Sequence, residues 1–129
     1  MKSLFALNLF SIVLFINFSY SQANYGKIDV PTFKKEMNKV ASNITLDVRT
    51  EAEFQSGHLA KAVNINYNSD NFMDVVSKMD KSKNYYVYCA VGGRSARAAD
   101  LMRANGFQHV FELIGGINAW KASGLPVEK

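Results

Sequence analysis

The stretch YCAVGGRSAR, residues 88–97, holds the residue types that would make a thiol reactive. It contains the only cysteine of the chain, Cys89, followed by two glycines and an arginine. A thiol reacts as its thiolate, and an electropositive setting lowers its pKa from the ordinary value of about 8.5. The stretch therefore points to a nucleophilic cysteine. The alternative is a small, inert core residue that happens to precede a turn.

Three features near Cys89 could stabilise a thiolate. Gly92 and Gly93 allow backbone angles that other residues resist, so the loop could turn successive N–H groups inward as an anion nest. A helix predicted to begin near Arg94 directs its positive end at the loop. Arg94 and Arg97 are three residues apart, share a helix face and add full charges. Cys89 alone would favour the inert interpretation, whereas the combination favours function.

The elements that must position this stretch follow from alternating patterns along the chain. Short β-prone segments are NITLDVRT, AVNINY, NYYVYCA and HVFEL, and helical patterns are PTFKKEMNKV, EAEFQSG, SDNFMDVVSKM, RSARAADLMRANG and GGINAWKASG. Such alternation predicts a parallel sheet with helices on both faces, a three-layer α/β domain. Ligands of these sheets bind beyond the carboxyl ends of the strands, which is where Cys89 follows the most β-prone segment.

Local patterns also predict helix ends and buried faces. Thr50 and Glu53 spell a capping box, which starts a short helix. Ser69 or Asp70 is expected to cap the helix that follows the second β-prone segment. Apolar residues at helical spacing predict the buried faces, namely Phe33, Met37 and Val40 in the first helix, Ala98, Leu101 and Met102 in the fourth, and Trp120 in the last.

Composition bounds the class of protein. The 129 residues are 48% hydrophobic and 20% charged, which is typical of one globular domain. The net charge of +4 is not gathered into a Lys/Arg block interleaved with aromatics, so nucleic acid is not expected as a partner. His58, His109 and Cys89 lack the spacing of metal ligands, so no metal is expected.

The first 21 residues, MKSLFALNLFSIVLFINFSYS, differ from the rest. A lysine precedes an apolar run over residues 4–18, and Ser19-Tyr20-Ser21 offers a small-x-small cleavage pattern. The run is short for a membrane span and contains polar residues. We therefore expect a signal peptide at 1–21, export to the periplasm or the medium, no stable membrane insertion after cleavage, and a mature domain at 22–129. An uncleaved anchor is the alternative.

Three segments, taken in order, resemble the signatures of the rhodanese domain, the sulfurtransferase family. They are LDVRTEAEFQSGHLAKAVNI, YCAVGGRSARAADLMRANGF and LIGGINAWKASGLPV, at residues 46–65, 88–107 and 113–127. The resemblance covers almost all of the mature chain. It implies the rhodanese fold over residues 22–129, with a five-stranded parallel sheet flanked by helices.

The resemblance also implies a reaction and a set of site residues. Cys89 would take the outer sulfur of a donor such as thiosulfate, become a persulfide, and pass the sulfur to cyanide or a thiol in a ping-pong cycle without a cofactor. A protein thiol is a possible acceptor of unknown identity. The implied residues are the nucleophile Cys89, the substrate-binding loop Ala90, Val91, Gly92, Gly93, Arg94 and Ser95, and the supporting residues Asp47, Arg49 and Arg97. A structural ion pair is an equal expectation for Asp47 and Arg49.

Three rival functions use the same residues differently. Phosphatases and arsenate reductases of related fold carry five residues between cysteine and arginine, whereas this loop has four and follows Tyr88 rather than a histidine. Non-catalytic rhodanese modules used for binding typically lack the cysteine. A dithiol redox protein needs a resolving cysteine, which this chain does not have. No cationic residue lies between Cys89 and Arg94, so the binding of an anionic donor would depend on Arg94 and Arg97.

Overall fold

The computed structural model describes residues 24–129. The predicted signal peptide at 1–21 lies outside the described residues, so it and the expected export stay predictions. Within the described part, no helix has the length and apolar character needed to cross a bilayer.

The described chain alternates strands and helices around one sheet. Its elements are β1 Asn24–Ile28, α1 Val30–Met37, β2 Ile44–Asp47, α2 Glu51–Gln55, β3 Val63–Asn64, α3 Phe72–Val76, β4 Asn84–Tyr88, α4 Gly93–Ala104, β5 His109–Leu113 and α5 Gly116–Ala122. The sheet has the order β1-β5-β4-β2-β3, and every pair of neighbouring strands is parallel. The predicted three-layer α/β fold with five parallel strands is confirmed.

Strand β4 forms the centre of the sheet and of both cores. It pairs with β2 on one side and β5 on the other, and its alternating side chains enter opposite layers. Tyr85 and Val87 pack with α3 and α4, and Tyr86 and Tyr88 pack with α1 and α5. Cys89 lies at the carboxyl end of the strand, in the same layer as Tyr85 and Val87. Because the strand before it is packed on both faces of the sheet, the position of Cys89 is well defined.

Three local predictions are wrong. Helix α1 ends at Met37, so Val40 falls outside it and is exposed. The buried residues of helix α4 are Ser95, Ala98, Ala99 and Met102. Leu101, which the sequence pattern predicts on the buried face, is exposed. Helix α3 starts at Phe72 and its N-cap is Asn71, which makes no side-chain capping bond, rather than Ser69 or Asp70.

Strand β1 has no clear signal in the sequence. Its residues NYGKI are mostly polar, and it occupies one edge of the sheet, where, among the strands that the structure describes, it pairs with β5 alone. An edge strand needs little apolar patterning, because only part of its surface is buried. By contrast, the predicted capping box at Thr50 and Glu53 is confirmed, with both reciprocal hydrogen bonds present.

Candidate active site at the end of the central strand

Cys89 follows the last residue of β4 and is 1% exposed. Three residues separate it from α4, which begins at Gly93, one residue earlier than the sequence indicates. The N-cap, Gly92, has a φ of 117°, in the region that favours glycine. The chain can therefore fold back over the sulfur within a very short loop.

The sulfur of Cys89 lies in a cradle of hydrogen-bond donors. The N–H of Gly92 donates to Sγ at 3.0 Å, and the hydroxyl oxygen of Ser95 is 3.4 Å from Sγ. Burial raises the pKa of the Cys89 thiol, but the hydroxyl and N–H of Ser95 and the N–H groups of Gly92 and Val91 lower it, so that the net pKa lies below the ordinary value. This arrangement favours negative charge on the sulfur.

The hydroxyl of Ser95 can serve both protonation states of Cys89. Ser95 is fully buried, and its hydroxyl lies 3.1 Å from the carbonyl oxygen of Gly92 as well as 3.4 Å from Sγ. A hydroxyl has one proton and rotates freely. Beside a thiol, Ser95 donates to Gly92 and accepts from the sulfur. Beside a thiolate, it can turn and donate to the sulfur.

We expect Ser95→Ala to raise the pKa of Cys89, because the thiolate loses one donor that buried surroundings cannot replace with water. The measurement is the rate of iodoacetamide alkylation of the native protein as a function of pH, whose midpoint should move upward. Ser77→Ala is the matched control, since Ser77 is exposed at the end of α3 and its hydroxyl donates to a backbone carbonyl. An unchanged midpoint in Ser95→Ala would contradict this role.

Helix α5 holds the other side of the loop. The N–H of Ile117 donates to the carbonyl of Cys89 at 2.9 Å, and the N–H of Asn118 donates to the carbonyl of Ala90 at 3.1 Å. In a trans peptide the C=O and the following N–H point in opposite directions. Because α5 draws the Ala90 carbonyl toward itself, the N–H of Val91 is turned toward the sulfur.

Gly116 allows this close approach. A Cβ atom at Gly116 would lie 2.4 Å from the carbonyl oxygen of Ala90, and its φ is 60°. The sequence by itself indicates only turn and packing roles for the two glycines at 115 and 116, so their contact with the loop is missed. The available signal is the third signature itself, in which a glycine pair stands at the start of the last helix.

Arg94 forms an ion pair beside the loop. Its guanidinium binds the carboxylate of Glu53 through two parallel hydrogen bonds of 2.7 and 2.9 Å. These bonds lower the pKa of Glu53 to about 2 and raise that of Arg94. Glu53, the capping-box glutamate of α2, is thus also the partner of the loop arginine, a contact that the sequence patterns do not reveal. Arg97 is exposed and makes no ion pair within residues 24–129.

Asp47 and Arg49 form a buried ion pair beside β4. Arg49 donates to Asp47 at 2.7 Å and to the carbonyl of Gly57 at 2.7 Å. The hydroxyl of Tyr88 donates to Asp47 at 2.7 Å and accepts from the N–H of Leu59. Burial, followed by the charge of Asp47, raises the pKa of Tyr88. The pair makes no hydrogen bond to the sulfur, so among the described residues it acts as a structural link between β2, β4 and the segment after α2.

A groove of about 320 Å³ flanks the loop on the side of β1 and β5. Val91, Gly92 and Gly93 form its wall on the loop side, and Lys27 and Ile114 lie on the other wall. Val91 is 67% exposed. Residues 24–129 contain no cluster of three His, Cys, Asp or Glu side chains that could hold a metal ion.

Comparisons with known proteins agree on one family. The family model "Rhodanese-like domain" matches residues 29–123. "Thiosulfate sulfurtransferase 16, chloroplastic" of Arabidopsis thaliana is 39% identical over 100 residues, which cover 69% of this chain and 82% of the relative. "Sulfurtransferase" of Allochromatium vinosum is 28% identical over 101 residues, which cover 78% and 92%.

Other matches extend to solved structures and to longer proteins. The crystal structure of the Alr3790 protein from Anabaena sp. superposes with a TM-score of 0.70 at 34% identity, covering 78% of this chain and 81% of that one. The chain spans only 35% of a "tRNA uridine(34) hydroxylase" from Sodalis glossinidius, to which it is 32% identical. The shared region is therefore a unit that also occurs within larger proteins.

Proposed function

The chain belongs to the rhodanese-like domain family, and from this premise we propose that it is a sulfurtransferase that carries sulfane sulfur on Cys89. The observation that supports this most is the buried thiol with a lowered pKa at the carboxyl end of β4, surrounded by N–H donors. A module used only for binding has no need of an activated thiol. The relatives whose names state a sulfurtransferase activity support the same reaction class.

The sulfur cradle is suited to a loading step in which Cys89 takes up sulfur. With thiosulfate as donor, the Cys89 thiolate attacks the outer sulfur and a new S–S bond forms. The S–S bond of the donor breaks, and sulfite leaves with the electron pair. No external oxidant or cofactor is needed, because one S–S bond breaks as another forms and the reaction has no net oxidation or reduction.

The discharge step restores the thiolate. Cyanide or a thiolate attacks the terminal sulfur of the Cys89 persulfide, and the bond to Sγ breaks with its electrons returning to Cys89. The N–H groups of Val91 and Gly92 are suited to both states, because the thiolate and the persulfide anion each place negative charge in the cradle. The proposed cycle is ping-pong, with the persulfide as its covalent intermediate.

The proposal predicts a sulfur atom that can be added and removed. We expect incubation with excess thiosulfate to increase the intact mass of the protein by one sulfur atom, located on the peptide that contains Cys89. Cyanide should then remove it and yield one thiocyanate per loaded protein. If neither thiosulfate nor an organic persulfide adds sulfur to Cys89, the proposed function is wrong.

A further inference from the structure

The charge balance at the loop bears on which donor the proposed sulfurtransferase uses. Arg94 is the one cation of the segment from Cys89 to Ser95. Its guanidinium already binds Glu53 in a bidentate pair, the geometry in which arginine holds a carboxylate most firmly. A dianion such as thiosulfate would have to displace that carboxylate or bind beside it.

Glu53 is ionised near neutral pH. The hydrogen bonds from Arg94 hold the pKa of Glu53 at about 2, so the pair carries no net charge near neutral pH. Both side chains are only partly exposed, at 22% for Arg94 and 35% for Glu53. Water therefore screens their mutual attraction incompletely, and the arginine remains engaged.

The other groups around the sulfur do not replace the missing positive charge. Between Cys89 and Arg94 the loop offers two apolar side chains and two glycines, and Val91 presents a largely exposed apolar surface. Arg49 is buried and bound to Asp47. Arg97 and Lys27 are exposed cations, whose attraction for a small anion is weakened by water and salt.

We propose that the preferred sulfur donor of this site is an organic persulfide, R–S–SH, with an uncharged group next to the sulfane sulfur, and that Glu53 sets this preference by neutralising Arg94. The Cys89 thiolate attacks the terminal sulfur of the persulfide, the inner S–S bond breaks, and R–S⁻ leaves with the electron pair. The proton stays on the transferred sulfur. The exposed apolar surface of Val91 is available to the R group.

The wild-type protein provides the first test of this inference. Loading of Cys89 is followed by intact mass with thiosulfate and with the freshly prepared persulfide of N-acetylcysteine ethyl ester, which is uncharged beside its sulfane sulfur. We expect the second-order rate constant for the persulfide to exceed that for thiosulfate by about tenfold or more. Equal rates, or a preference for thiosulfate, would overturn the inference and leave the proposed function standing.

The second test removes the negative charge that neutralises Arg94. Glutamine at position 53 can still serve the capping box and accept one hydrogen bond, so Glu53→Gln removes mainly the negative charge. The ratio of thiosulfate to persulfide loading should rise about tenfold, and thiosulfate loading should become more sensitive to salt. Glu51→Gln is the matched control, because Glu51 lies in the same helix and bonds to Gln55 rather than to Arg94. Its ratio should equal that of the wild type.

The outcomes separate the two proposals. A folded Glu53→Gln variant with an unchanged donor ratio would show that Glu53 does not govern donor choice. An equal rise in Glu51→Gln would assign the effect to overall charge and would equally contradict the inference. Failure of both donors to load Cys89 in the wild type would remove the proposed function itself.

Discussion

Cys89→Ser is expected to abolish sulfur loading while leaving the fold intact. The hydroxyl has nearly the volume of the thiol, but it does not ionise near neutral pH and is a poor nucleophile. Removal of a covalent nucleophile commonly lowers turnover by many orders of magnitude. We expect at least a roughly thousandfold loss. Intact-mass analysis after thiosulfate or persulfide treatment should show no added sulfur.

The stability of the Cys89→Ser variant distinguishes a reactive cysteine from an inert core residue. The N–H of Gly92 that now donates to the sulfur can donate to a serine oxygen, and the Ser95 hydroxyl lies within reach. The hydroxyl of Cys89→Ser would therefore be hydrogen-bonded, and the free energy of unfolding should change by less than about 1 kcal/mol. A serine variant that loses about 3 kcal/mol or more, together with a wild-type thiol that resists alkylation, would support an inert core role instead.

Gly116→Ala is expected to lower the stability of the protein and the reactivity of Cys89 together. The new methyl group would lie within 2.5 Å of the carbonyls of both Cys89 and Ala90, and alanine disfavours the φ of 60°. Relief requires that α5 move away from the loop. The backbone conformation and the steric overlap should cost about 2–4 kcal/mol in the free energy of unfolding.

Gly124→Ala separates the cost of the backbone conformation from the cost of the steric overlap. Gly124 has a similar φ of 76°, but no atom of the described residues lies within 4 Å of the position that a Cβ atom would take, so alanine there should cost only about 1 kcal/mol. Sulfur loading should be slowed in Gly116→Ala but not in Gly124→Ala, because only the first displaces the carbonyl of Ala90. Equal effects of the two substitutions on stability and loading would refute the proposed contact of α5 with the loop.

The parts of the site that local patterns encode could be predicted from the sequence. The aromatic and β-branched residues of β4 identify a central strand, and the cysteine after it follows the rule for parallel sheets. The capping box depends on two residues only three positions apart, so Thr50 and Glu53 identify it correctly. These signals are short in sequence and need no knowledge of the neighbouring elements.

The contacts that determine the chemistry could not be predicted in the same way. Arg94 and Glu53 are 41 residues apart, and nothing in the pattern of either helix requires that they meet. The contact of α5 with the loop depends on backbone carbonyls and N–H groups, which every residue carries and which leave no mark on composition. The exposed Leu101 shows the same limit, because three apolar residues at helical spacing do not decide which of them faces the sheet.

The position of β5 between β1 and β4 also has a consequence for the order of events during synthesis. Among residues 24–129, strand β1 has no strand to pair with until residues 109–113 have left the ribosome, and the loop carbonyls have no donors from α5 until residues 117 and 118 follow. A nascent chain that already contains Cys89 therefore lacks part of the environment that orients the sulfur cradle. The setting of the thiol therefore cannot be complete before residues 117 and 118 have been synthesised.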